Sequence, residues 1–135
     1  MRTINEIIVH CTDTPEDRHV SVGDITQWHK EKGYNTIGYH YVVYLDGSIH
    51  IGRPVDKKGA HCKGHNAKSI GVCYVGGRSL KGIHSDTRTD AQKEALRNLI
   101  KKLLTKYPNA KVYGHRDFAA RACPCFDAKT EYENV

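Results

Sequence analysis

The chain has 135 residues, of which 39% are apolar and 27% charged, with a formal charge of +6. That length suits one domain over residues 1–135, burying about two-thirds of its unfolded surface without a covalent staple. Five cysteines, an odd count at irregular spacing, argue against a disulfide framework; no apolar run is long enough to span a bilayer.

The N-terminal MRTINEIIVHC has no apolar stretch of secretory length, so a chain made and kept in the cytoplasm until released is expected. Glu6 to His10 reads as a short buried strand ending on a histidine. Ser21 followed by Asp24 marks a helix start, and Ile25 and Trp28 share one face of that helix until Gly33 ends it. IGYHYVVYLDGSIHIG reads as a hairpin around a two-residue Asp46-Gly47 turn, with Tyr39 at the start of one arm. Ser69 to Val75, SIGVCYV, is a continuous apolar strand of the kind covered on both faces.

Thr89 and Gln92 form a capping box. Behind them Ala91, Ala95, Leu96, Leu99, Ile100, Leu103 and Leu104 make an apolar helical stripe that ends before Pro108. Lys111 to Gly114 is a last short strand, followed by a histidine. Strands and helices interleave, so the expected class is α/β, a central mixed sheet flanked by helices. The basic charge favours an anionic partner, but the cations are scattered and match no nucleic-acid-binding motif. No nucleic acid and no membrane span are expected.

Of nine histidines, His19, His29, His50 and His84 sit among polar residues, where a surface position explains them. His10 and His115 each follow an apolar strand and begin a polar loop, and strand ends are where ligands gather in an α/β sheet. GHRDFAARACPCFDA adds Cys123 and Cys125 behind His115. Two imidazoles and one thiolate would hold zinc with a fourth position left free. Spacing leaves open which cysteine completes the set, and a small buried turn would account for CPC as well. No Glu stands beside either histidine as in the HExxH metalloproteases.

IIVHCTDTP, ITQWHKEKGYNTIGYHYVVYLDGSIHIGRP, GAHCKGHNAKSIGVCYVGG and GHRDFAARACPCFDA occur in the order found in the type 2 N-acetylmuramoyl-L-alanine amidases. That family includes phage lysozymes of amidase type and peptidoglycan recognition proteins, and the resemblance runs nearly end to end. It implies a zinc site at one sheet edge in a surface groove, with His10, His115 and Cys123 as ligands and Cys125 in place of a small residue. It puts Tyr39 at the catalytic tyrosine, and His61 and Asn66 in a loop lining the substrate groove; fixing that loop by hydrogen bonds is the alternative role for both.

Arg121 stands where the phage branch has a lysine, and a planar, permanently charged fork suits oxyanion stabilisation rather than proton donation. The implied reaction is zinc-assisted hydrolysis of the amide between N-acetylmuramic acid and L-alanine, with peptidoglycan as partner. A monomeric phage or prophage endolysin is the expected setting, reaching the wall through a permeabilised membrane. The alternative is a non-catalytic peptidoglycan-binding module of the same fold. Binding-only relatives typically lack the cysteine, whereas Cys123 is present here.

Overall fold

The computed structural model describes residues 2–135. In chain order the elements are β1 (Glu6–Cys11), β2 (Thr14–Pro15), α1 (Val22–Glu31), β3 (Tyr41–Val43), β4 (Ile49–Ile51), β5 (Ser69–Tyr74), β6 (Gly77–Arg78), α2 (Asp90–Lys106), β7 (Lys111–Gly114) and α3 (Ala128–Glu131). The main sheet runs β4-β3-β5-β1-β7, and β2 pairs with β6 apart from it. β3, β5, β1 and β7 are mutually parallel and only β4 is antiparallel, so the sheet is mixed as expected. Among the described residues no helix is long and apolar enough to cross a membrane.

Alternation along the parallel strands decides what each face does. Ile7, Val9 and Cys11 of β1 and Ile70, Val72 and Tyr74 of β5 pack with Leu96, Leu99, Ile100 and Leu103 of α2. Each such aliphatic side chain, once fully buried, stabilises the fold by about 1.5–3 kcal/mol. A second cluster joins Val42 and Val75 to Val20, Ile25 and Ile37 around α1. His10 lies between Val9 and Cys11 in sequence, and so belongs to the sheet face turned away from α2.

Both long helices begin as their sequences suggest. Ser21 caps α1 with Asp24 returning the bond, and Thr89 caps α2 with Gln92. Gln92 is fully buried, and its Nε2 also donates to the Val75 carbonyl at 2.9 Å. One polar side chain thereby ties the start of α2 to the end of β5.

Two expectations are corrected. The β3–β4 loop is three residues, not two: the Tyr44 N–H donates to Ser48 O at 2.9 Å, and Gly47 N–H to Tyr44 O at 2.9 Å. Gly47 closes it with φ +85°, a left-handed conformation that glycine adopts at little cost. His29 is not a surface residue: it is 8% exposed, because its Nδ1 accepts the Gly38 N–H at 2.8 Å. Burial pulls its pKa down to about 4, so the ring is neutral and free to accept.

Candidate active site and metal centre

In the parallel register Val9 stands beside Gly114, so His10, still within β1, and His115, just past the end of β7, come side by side at the carboxyl ends of neighbouring strands. Their ring centroids are 4.6 Å apart. The 115–126 segment then folds back to deliver Cys123. Arg116 N–H donates to Cys123 O at 2.8 Å, and Tyr74 Oη donates to Pro124 O at 2.7 Å. Gly114 permits this return, since a Cβ there would come within 2.8 Å of Pro124 Cδ.

The ligand atoms of His10, His115 and Cys123 all lie within 4.8 Å of one another. His10 presents Nδ1, 4.0 Å from Cys123 Sγ; bond lengths to a tetrahedral zinc would set donors about 3.3–3.8 Å apart. The chemistry of the set also fits. His10 is held well below the ordinary histidine pKa, first by burial and then by the neighbouring His61 and His115. Burial, and secondarily Arg121, lowers His115. Both imidazoles are therefore neutral donors, and the Cys11 N–H points at Cys123 Sγ from 3.2 Å, a contact that suits a thiolate. Cys125 takes a different direction: its Sγ reaches Gly77 O at 3.3 Å.

Tyr39 precedes β3 rather than opening it, and its ring centroid is 5.0 Å from that of His10. The residue lines the groove, and its hydroxyl has the buried Cys73 thiol beside it. Burial, followed by the thiols of Cys73 and Cys123, raises its pKa well above the usual tyrosine value. The phenol stays protonated and can donate.

The groove has a volume of about 530 Å³; Tyr39, His61, Asn66, His115 and Arg121 line it together with Lys32 and Lys63, and no carboxylate does. Arg121 is exposed and makes no ion pair or side-chain hydrogen bond among the described residues. His61 and Asn66 also turn inward. Asn66 Oδ1 accepts the N–H groups of His61 and Cys62, both at 2.9 Å, and His61 Nδ1 lies 2.8 Å from His10 Nε2.

Sequence reasoning missed Lys32, Lys63 and the backbone donor at Cys11, none of which has a local signature. It also missed Ser69, whose Oγ lies 3.1 Å from His61 Nε2, and Gly71, where a Cβ would fall 2.7 Å from His61 Cδ2. Gly71, a lone glycine inside an apolar strand, did carry a signal of close approach by another group.

The family model for N-acetylmuramoyl-L-alanine amidase matches residues 1–126. The endolysin of Klebsiella phage KP32 is 43% identical over 129 residues, covering 96% of this chain and 85% of that protein. Among solved structures, the N-acetylmuramoyl-L-alanine amidase LysC from Clostridium intestinale URNW is 29% identical with TM-score 0.82, over 96% of this chain and 82% of that one. A variant of Drosophila PGRP-LB in complex with tracheal cytotoxin is 26% identical with TM-score 0.82, over 99% of this chain and 82% of that one. The chain belongs to the N-acetylmuramoyl-L-alanine amidase family.

Proposed function

We propose that the protein hydrolyses the amide joining N-acetylmuramic acid to L-alanine in peptidoglycan, as a zinc-dependent endolysin acting once it is released to the cell wall. The observation that carries this reading is the convergence of His10, His115 and Cys123 on one point, with His115 lining the groove that also holds Tyr39 and Arg121. A module that only bound the wall would need the groove but not the three donors.

A zinc ion held by these three residues supplies Lewis acidity for the scissile carbonyl and for the attacking water. The chain's own groups do the rest. The Tyr39 hydroxyl, protonated and on a residue that lines the groove, donates to the carbonyl oxygen as it gains negative charge. The Arg121 guanidinium adds positive charge at the same wall. Donors aimed at a developing oxyanion each contribute about 10²–10³ in rate. Lys32 and Lys63, with no carboxylate beside them in the groove, attract and orient the carboxylate-bearing stem peptide.

The test is loss of turbidity of purified cell walls. Clearing that a chelator stops and added zinc restores is the expected result. Clearing unaffected by exhaustive metal removal would refute zinc dependence, and wall binding without clearing would refute the enzyme.

A further inference from the structure

We infer that His61 is a positioning residue: with Ser69 it forms a buried relay that fixes the tautomer and orientation of His10, leaving His10 Nδ1 free for the metal. The inference rests on His10 being a zinc ligand.

His10 Nε2 lies 2.8 Å from His61 Nδ1, and His61 Nε2 lies 3.1 Å from Ser69 Oγ. The three residues are 1%, 9% and 0% exposed. A nitrogen–nitrogen contact of this length holds one proton, so the chain has two polarities. In one, His61 Nδ1 carries the proton, His10 Nε2 accepts it, and His10 must carry its own proton on Nδ1, where it blocks a metal. In the other, His10 Nε2–H donates to His61 Nδ1, and His61 Nε2–H donates to Ser69 Oγ. Only the second leaves a lone pair on the nitrogen that faces Cys123. Zinc-loaded protein must therefore hold both rings as Nε2–H tautomers. Outer partners of this kind orient ligand histidines at metal sites generally.

The ring of His61 is built into place. A Cβ at Gly59 would fall 2.5 Å from His61 Cδ2, and one at Gly71 would fall 2.7 Å from the same atom. Both glycines thus give up the space that the ring fills. Asn66 holds the backbone of His61 at 2.9 Å. A side chain meant chiefly to touch substrate needs neither bond to His10 nor a slot of two glycines.

The experiment measures zinc affinity by chelator competition for wild type, His61→Leu, His61→Asn and Ser69→Ala, with long-range ¹H–¹⁵N spectra of histidine-labelled protein. Zinc-loaded wild type should show Nε2–H at both His10 and His61. His61→Leu should bind zinc about 10–100-fold more weakly, while His61→Asn, which keeps an acceptor near the Nδ1 position, should stay within about threefold of wild type. If His61→Leu does not fold, Ser69→Ala decides: weaker zinc binding with a mixed His61 tautomer supports the relay, and unchanged affinity and tautomer overturn it. A zinc-binding wild type with an equally tight His61→Leu and a raised KM would make His61 a substrate contact and overturn this inference alone. A wild type that takes up no zinc overturns the ligand assignment and the relay with it.

Discussion

Replacing Gly71 with alanine offers a severe check on how the sheet builds the site. In a strand this substitution ordinarily stabilises, by about 0.4–1 kcal/mol, because the unfolded chain has fewer conformations to lose. Here the added methyl would stand 2.7 Å from Cδ2 and 2.8 Å from Cγ of His61, against about 3.5–4.0 Å for carbons in comfortable contact. The ring must retreat by about 1 Å or the strand must shift. A retreat breaks the bonds of 2.8 Å to His10 and 3.1 Å to Ser69, and each buried polar group left unpaired costs about 1–3 kcal/mol. Overpacking of a filled site adds about 1–3 kcal/mol. The sign therefore reverses, to a net loss of at least about 2 kcal/mol. Urea unfolding of metal-free protein reads the stability, and chelator competition reads zinc. Gly71→Ala with an unchanged or raised urea midpoint and wild-type zinc affinity would show that His61 is not clamped against β5.

Cys123→Ala should lose zinc while Cys125→Ala keeps it, since only the first thiol joins the histidine pair; elemental analysis giving the reverse pattern would exchange their roles. Tyr39→Phe should retain zinc, fold and wall binding but lose about 10²–10³ in kcat, because a donor used mainly in the transition state adds little to ground-state affinity; undiminished cleavage would remove Tyr39 from the mechanism. Arg121→Ala should lose about 10²-fold or more in kcat/KM with a smaller loss of binding, and Arg121→Lys should keep much of the activity. An Arg121→Ala enzyme of wild-type rate would make that residue a surface cation.

How far the sequence could be read depended on whether the cause was local. α2 was legible because its capping box and its apolar stripe are both written within the helix. β1 and β7 were legible because apolar runs stop at His10 and His115, and the parallel register then sets these two side by side. The hairpin turn was one residue longer than expected because Asp46-Gly47 serves either loop length, and the Tyr44–Ser48 pairing makes the choice. His29 was misplaced because its partner is the Gly38 N–H, nine residues away and outside any helical period.

The link from His10 to His61 spans 51 residues, and no pattern announces it. Gly71 marked that something approaches β5, but only the folded chain shows that it is an imidazole. The choice between Cys123 and Cys125 followed from resemblance alone; in the fold it is Cys123 whose sulfur lies with the two histidines, on a loop that Tyr74 and Arg116 anchor.

The central claim is chemical, and mass spectrometry of the products from purified peptidoglycan tests it most directly. The zinc-loaded protein should release stem peptides with a free L-alanine amino group and leave intact N-acetylmuramic acid on uncut glycan strands, with no release after chelation. Cleaved glycosidic bonds or cross-link peptide bonds, with the muramic acid–alanine amide intact, would contradict the account.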